Sequence, residues 1–444
     1  MTDHPDITSD PASTPVSLLH GLPPDEYRAR RERLRAACPD ALILLRGATE
    51  EEAHGVRYRQ NSHFLYLTGV DTPGAFLVLL PQGLSASLGL RDVPSGVREI
   101  LFLPARNPQS EIWTGPKQVP GEETERRTGI EKTADVAQLW SALTGWLRHL
   151  PALYTIAPFG EHARLTREYA LIQRVADLAP ITRFLDCSLP LARLRMVKSP
   201  AEVAYIREAI AVTCEAQRAA RRAIASLTAT WEYEVEAQVL ATFRQRNAVA
   251  AFPSIIGAGP NALVLHYEAN NAPIRPGDPV VVDIGARVGA YCSDLTRTYP
   301  AGGRFTPRQA EIYDLVYQAH QYAVQAYRPG EDSLKSLNER CKEFLRELPI
   351  RAQDACGEEK TMDTFMPHGL CHHLGLDVHD VGVPEVPLPV GSVITIEPGL
   401  YVPSEGIGVR IEDDYLVTEQ GLELLGPTLE KERGALEAAL ADNG

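Results

Sequence analysis

Asp283 and Asp294 stand on either side of Arg287-Val288-Gly289, a short break between two β-branched runs in the stretch Pro279 to Tyr299, PVVVDIGARVGAYCSDLTRTY. Glycine accepts a positive φ without a Cβ clash, so this break predicts a tight hairpin turn. With the turn centred between Val288 and Gly289, antiparallel pairing sets Asp283 directly opposite Asp294 on one face. Opposed side chains have Cβ atoms roughly 4.5–5.5 Å apart, and two like charges at that range destabilise a half-buried sheet unless a cation lies between them. A divalent metal meets that need. The far end of the chain repeats the device: Val393 to Glu397 and Gly408 to Glu412 read as strands around Pro403-Ser404-Glu405-Gly406, and a turn between Ser404 and Glu405 pairs Glu397 with Glu412. Between the hairpins, Pro367 to Asp380 holds His368, His372, His373 and His379, four of the chain's 12 histidines. Four carboxylates balance two divalent ions and an imidazole supplies the missing ligand type. Two such ions about 3.5–4 Å apart hold a bridging hydroxide, which is the outline of a hydrolase site.

VVDIGARVGAYCSDLTRTYP, MPHGLCHHLGLDVHDVG, ITIEPGLY and GVRIEDD, in that order, resemble the metal-binding segments of the aminopeptidase P and prolidase family of Xaa-Pro peptidases. The resemblance implies an α/β N-terminal domain followed by an α+β catalytic domain of the pita-bread (creatinase/aminopeptidase-like) type with pseudo-twofold symmetry. Carried over by position, the family's metal ligands fall on Asp283, Asp294, His372, Glu397 and Glu412. Counting the His-Gly-Xaa-Xaa-His spacing from His368 selects His372 over His373. His266, in VLHYEANN, together with His368 and His379, matches the non-ligand histidines of the family's active site. Glu397 becomes the general base and Arg410 orients a ligand carboxylate, with His266 and His379 directed at the substrate carbonyl. Two divalent ions follow, Mn2+ first because thiolate ligands are absent, with Co2+ or Zn2+ as alternatives. The implied substrates are peptides with proline in second place, cut by attack of the metal-bridging hydroxide. Alternatives are a prolidase, limited to Xaa-Pro dipeptides, and a non-catalytic pita-bread protein that binds peptides. Retention of all five ligand types argues against the last. In similar family members the tryptophan matching Trp113, in Glu111-Ile112-Trp113, reaches the substrate site of a neighbouring subunit, which implies a homo-oligomer, dimer or tetramer. Plain core packing is the competing reading of Trp113.

Other features set the frame that must position these groups. The chain has 444 residues, 44% hydrophobic and 23% charged, which predicts a soluble globular protein of two or three domains. Its net charge of -14, from 58 acidic and 44 basic residues, argues against nucleic acid or an anionic membrane as partner. The longest uncharged stretch, Thr72 to Leu90, is broken by Pro73, Gly74, Pro81 and Gly83, so no membrane span is expected. Seven scattered cysteines without a CxxC pair suggest reduced thiols in a cytoplasmic protein. Cys292 and Cys371, which flank the proposed site, read as small hydrophobes. Residues 1–24 read as a disordered leader, neither basic nor apolar enough for a signal peptide.

Residues 25–189 then alternate helix and strand: a helix over Glu26 to Ala37, strands at Ala41 to Leu45, Phe64 to Leu67, Ala75 to Leu80 and Glu99 to Leu103, and helices near Val136 to His149 and Leu165 to Asp177. Tyr58 to Gly69, YRQNSHFLYLTG, adds to the resemblance by matching the N-terminal domain of bacterial aminopeptidase P. His63 reads as a surface or packing residue there, and Glu122 to Arg127 as a solvated face. A catalytic domain over 190–444 opens at Leu189-Pro190. Ser199-Pro200-Ala201-Glu202 is a capping box that starts a long helix towards Ala225, with Val203, Ile206 and Ile210 on its apolar side. A helix from Glu232 to Asn247 and strands at Ser254 to Ile256 and Leu263 to His266 follow. Thr306-Pro307-Arg308-Gln309 caps another long helix and a shorter one begins after Ser333, so helix, helix and hairpin occur twice. His320, Asp363 and Asp414 lack such company and default to solvated or locally bonded roles.

Overall fold

A computed structural model describes residues 21–53, 58–91 and 93–441. The leader expected over residues 1–24 lies outside the described residues as far as residue 20. Leu22 is buried, and the first helix, Pro24–Ala37, starts inside the segment expected to be leader. Close contacts divide the chain into two units, Met1–Leu194 and Arg195–Gly444. The helix Ser188–Met196 runs across Leu189-Pro190, where a boundary was expected.

The first unit is built on a six-stranded mixed sheet in the order Lys132–Asp135, Glu99–Leu103, Phe76–Leu79, Leu42–Arg46, Ala152–Thr155, Arg183–Asp186. Leu42, Leu44, Val78, Ile100 and Phe102 pack on Leu143 and Trp146 of the helix Leu139–Leu147, whose Trp146 Nε1 donates to the Ala86 carbonyl. The apolar run Phe64 to Leu67 is helix, not strand. Asn61 caps the helix Ser62–Thr68 by accepting from the His63 and Phe64 amides, and Gly69 ends it in the left-handed conformation at φ 65°. Leu65, Tyr66 and Leu67 are buried alike, and a short run buried all round carries no period to separate helix from strand. Helices also form at Pro108–Thr114 and Glu122–Thr128.

The second unit contains the repeat. Helices Pro200–Ala225 and Glu232–Gln245 precede a hairpin of Pro279–Ile284 and Leu295–Pro300; helices Pro307–Ala326 and Leu334–Glu347 precede a second hairpin system of Val393–Val402 and Ile407–Thr418. The Ser199 capping box forms as expected, its hydroxyl accepting from the Glu202 amide and the Glu202 carboxylate from the Ser199 amide. Val203 is half-buried; the apolar stripe is carried by Ile206, Ala209 and Ile210. Further along this helix Gln217 donates to the carbonyls of Val282 (3.0 Å) and Leu295 (2.8 Å), tying the helix to both strands of the first hairpin. Leu263 to His266 is not a strand: a 3-10 helix, Gly259–Leu263, leads into an irregular loop. No helix among the described residues is long and apolar enough to cross a membrane.

Candidate metal centre

The first hairpin turns at Gly289 and Ala290, with Val288 paired to Tyr291 and Asp283 to Thr296. The register therefore differs by two residues from the one expected, and Asp294 lies diagonal to Asp283 instead of opposite it. Strand side chains alternate with period two, so an even shift keeps both aspartates on one face, where an odd shift would have turned one away. Gly289, at φ 61°, takes the turn. Gly285 allows the close approach beside Asp294: a Cβ there would stand 2.0 Å from the Ser293 carbonyl oxygen.

The second hairpin keeps the expected register. Gly399 pairs with Arg410 and Ile396 with Asp413, which brackets Glu397 opposite Glu412. At that point the hairpin opens. The Glu397 amide donates to the Leu370 carbonyl (2.8 Å) and the Glu412 amide to the Thr296 carbonyl (3.0 Å), so each carboxylate is fixed to a different neighbour. The second of these bonds joins the two hairpins.

Asp283, Asp294, His372, Glu397 and Glu412 line one cavity of about 500 Å³, together with His266, His368, His379 and Arg410. One ligand atom each from Asp294, His372 and Glu412 fall within 4.8 Å of one another. His372 Nδ1 lies 3.1 Å from the His373 carbonyl, which can only accept, so that nitrogen carries the proton. The Nε2 lone pair is left facing Asp294 (3.5 Å), Glu397 (3.6 Å) and Glu412 (3.9 Å). Carbonyl-fixed tautomers of this kind are the usual way a histidine is readied for a metal.

The electrostatics ask for positive charge. Burial, then the charges of Glu412 and Asp283, push the Asp294 carboxyl well above its ordinary range. Burial and Glu397 raise Glu412 well above its own, and burial lifts Glu397 to about 8. Oδ1 of Asp283 and Oδ1 of Asp294 are buried without a hydrogen-bond partner. Buried carboxylate oxygens left unpaired among like charges are costly without a cation, and oxygen-rich sets with one imidazole suit a hard or borderline divalent ion. The residues present therefore fit a divalent metal.

Around the carboxylates runs a supporting network. Arg410 pairs with Asp283 Oδ2 through Nη2 (2.5 Å), donates to the Tyr401 hydroxyl through Nη1 (2.6 Å) and reaches Thr296 Oγ1 through Nε (3.2 Å). Thr296 Oγ1 in turn donates to Glu412 Oε2 at 2.7 Å. His368 donates from Nδ1 to the Gly369 carbonyl, and its Nε2 accepts from Tyr401 at 3.1 Å. Burial, then Arg410, lowers His368 to about 4, and burial, then His379, does the same for His372, so both are neutral at pH 7. Buried Arg195 bonds to Asp377 and Asp380, and Lys198 to Asp380 at 3.1 Å, which pins the loop carrying His379. Cys292 is buried, and half-buried Cys371 lines the cavity.

Thr296, Tyr401 and Asp414 were not singled out as site residues. Asp414 is buried, not solvated, and accepts the Asp294 amide at 3.0 Å. His320 is also fully buried, 3.4 Å from Asp413. Adjacency of Glu412, Asp413 and Asp414 was the available signal for Asp414; it was unreadable without knowing that all three reach the first hairpin, at Thr296, Arg297 and the Asp294 amide. Trp113 is outside the cavity. It belongs to the first unit and is 86% exposed, which removes the reading of Trp113 as a core residue.

Residues 204–419 match the model of metallopeptidase family M24, and residues 27–154 that of the aminopeptidase P N-terminal domain. An Xaa-Pro aminopeptidase of Haemophilus influenzae is 32% identical over 95% of this chain and 98% of its own length. The mitochondrial intermediate cleaving peptidase 55 of Arabidopsis thaliana is 31% identical over 98% of this chain and 86% of its own. Among solved structures, zinc-substituted Escherichia coli aminopeptidase P in complex with product superposes with a TM-score of 0.81 at 30% identity, covering 95% of this chain and 99% of that one. The same enzyme with the inhibitor Pro-Leu gives 0.80 with the same coverage.

Proposed function

We propose, since the chain belongs to metallopeptidase family M24 and carries the aminopeptidase P N-terminal domain, that it removes the first residue of peptides whose second residue is proline. Metal-dependent aminopeptidase activity comes with the family; the demand for proline and the use of two ions go further. One observation carries the reading: four carboxylates and a lone pair of His372 converge on one cavity, with two buried carboxylate oxygens unpaired. Asp283, Asp294, His372, Glu397 and Glu412 would hold two divalent ions, Mn2+ in preference to Co2+ or Zn2+. When bound, these supply Lewis acidity and an acidified water at neutral pH.

The chain's own side chains do the rest. Glu397 takes the proton from the attacking water and passes it to the leaving proline nitrogen, which departs as a neutral secondary amine. His266 and His379 donate to the carbonyl oxygen of the first residue as charge grows on it. His368, neutral and tied to Tyr401 and the Gly369 carbonyl, shapes the pocket. Arg410 holds Asp283 in place. Phe252, Pro253, Leu265 and Val378 give the cavity an apolar side suited to a pyrrolidine ring, and proline's tertiary amide offers no N–H that would go unpaired there. Trp113, on its exposed helix, is assigned to the substrate of a neighbouring copy in a dimer or tetramer. Rates for Ala-Pro, Ala-Pro-Ala and Ala-Ala-Ala with the Mn-loaded protein test the proposal. Cleavage of Ala-Pro-Ala well above the other two is expected. Preference for the dipeptide makes the protein a prolidase, equal cleavage of Ala-Ala-Ala makes it a general aminopeptidase, and no cleavage of any peptide leaves a binding protein.

A further inference from the structure

His266 reaches the cavity from a loop, is exposed, and its ring makes no hydrogen bond among the described residues. Nothing on the imidazole fixes its place, so the backbone beneath it must. That backbone converges on Glu232, the fully buried first residue of the helix Glu232–Gln245. Its Oε1 accepts from the Ala258 amide (2.9 Å) and Asn261 Nδ2 (3.0 Å), and its Oε2 from the Tyr267 hydroxyl (2.8 Å) and the Ala272 amide (2.8 Å). The Glu232 amide also donates to the Ala272 carbonyl at 3.0 Å.

One carboxylate thus grips both ends of the loop, Ala258 and Ala272, and the residue next to His266. A second clasp works beside it: buried Asn270 accepts from the Ile256 amide (2.9 Å) and donates to the Ser254 carbonyl (2.8 Å). Both clasps anchor the loop to the strand Ile255–Ala258, whose Ile255 pairs with Asp283. The imidazole is in this way registered to the strand that carries a carboxylate of the metal centre.

Burying a carboxylate is costly, and the four groups that donate to the Glu232 carboxylate are neutral N–H and O–H groups. An apolar residue could pack in its place but could not tie four donors spread over this loop. Among the described residues, Glu232 makes no hydrogen bond to any of the five proposed ligands.

We propose that Glu232 is a positioning residue that holds His266 at the scissile carbonyl. This rests on the oxyanion role given above to His266. The test is steady-state hydrolysis of Ala-Pro-Ala by the Mn-loaded full chain for Glu232→Gln, Tyr267→Phe, His266→Ala and the corresponding double variants, with bound Mn and amide hydrogen exchange over 264–271 measured on each. The isosteric amide of Glu232→Gln turns an N–H towards two donors. It should lower kcat by about 10²-fold, the size that an ångström of misplacement costs, with KM and bound Mn little changed and exchange over 264–271 faster. Tyr267→Phe, which loses one of the four bonds, should show the same pattern at smaller size, and serves if Glu232→Gln does not fold. On the His266→Ala background neither change should lower kcat further. Wild-type kcat in Glu232→Gln, or a loss that multiplies in full with His266→Ala, overturns the proposal. If His266→Ala itself keeps full kcat, the oxyanion role is what fails and the catalytic part of the proposal falls with it. Unchanged exchange over 264–271 in Glu232→Gln instead refutes the clasp, whatever His266 does.

Discussion

Removing metal from the protein should make its stability depend on pH in a way that metal abolishes. Burial raises Glu397 from 4.5 to about 8. A carboxyl raised on folding is a proton that the native state keeps and the unfolded chain has lost, so between those values stability falls as pH rises. Burial lowers His368 and His372 from 6.5 to about 4, which works the other way between 4 and 6.5, where stability rises with pH. Asp413, held down to about 2 by Arg297 and Lys431 against the effect of burial, matters only in stronger acid. Above pH 6.5 the histidine contributions are complete and only the raised carboxyls act, so metal-free protein should lose stability from there to pH 8. One pKa unit is about 1.4 kcal/mol, so this interval of about 1.5 units costs about 2 kcal/mol through Glu397 alone. Asp294 and Glu412, also raised, act in the same direction. A unit of this size shifts by about 2–4 °C per kcal/mol, giving a fall in Tm of about 4–8 °C. Bound Mn takes the place of those protons, so the Tm gained on adding Mn should grow from pH 6.5 to 8. Scanning calorimetry in chelator and in excess Mn, at half-unit steps from pH 5 to 9, reads both quantities. A metal-free Tm that stays level or rises between pH 6.5 and 8 would refute the argument that buried, mutually repelling carboxylates form this site.

Three further outcomes are expected. His372→Ala removes the only nitrogen among the five proposed ligands; bound Mn at fixed free Mn should drop more than about 10-fold, since even partners outside the ligand set cost 10- to 100-fold, and an unchanged metal content by elemental analysis would exclude His372 as a ligand. Arg410→Met leaves Asp283 buried without its cation, a change of about 3–5 kcal/mol in thermal melts of metal-free protein, and Mn should recover part of it; identical losses with and without Mn would separate Arg410 from the metal centre. Asn61→Ala removes the cap of the helix Ser62–Thr68 and should cost about 1 kcal/mol with kcat unchanged, whereas a melting curve like the wild type's would show that the cap adds nothing.

The carboxylates were legible because their signal is local: strand pairs around a turn, with alternation fixing the face. Misplacing the first turn left Asp283 and Asp294 on one face, since the error was even. The second hairpin had Ser404 and Glu405 to centre it and came out in register. Phe64 to Leu67 was unreadable in type, a buried run too short to show a period, although Asn61 before it and Gly69 after it were cap signals in plain sight. Asp414 and Thr296 were invisible for another reason. Their roles depend on which residue of another segment lies within 3 Å, as with the Asp294 amide on Asp414 and Glu412 on Thr296, and no spacing within one strand encodes that. Leu263 to His266 was read as a strand from a short apolar run, Leu263-Val264-Leu265; the chain there is held instead by Glu232 and Asn270, polar residues whose partners are not neighbours in sequence.

The bond from the Glu412 amide to the Thr296 carbonyl has a bearing on how the protein comes into being. Thr296 belongs to the first hairpin and Glu412 to the last, and Arg297 reaches from the first hairpin to the carbonyls of Glu412, Leu429 and Glu430. A ribosome-bound chain that has released Asp283 and Asp294 but not yet Glu412 holds only half of the site. With the five proposed ligands, two carboxylates alone would compete poorly with water for a divalent ion, so loading would wait on nearly the whole of synthesis. Contacts this distant in sequence also close late in folding, because loop entropy must be overcome before they are rewarded. On the proposed ligand set, hydrolytic power would thereby be withheld from unfinished chains, and a chain truncated ahead of Glu412 is expected to hydrolyse no peptide.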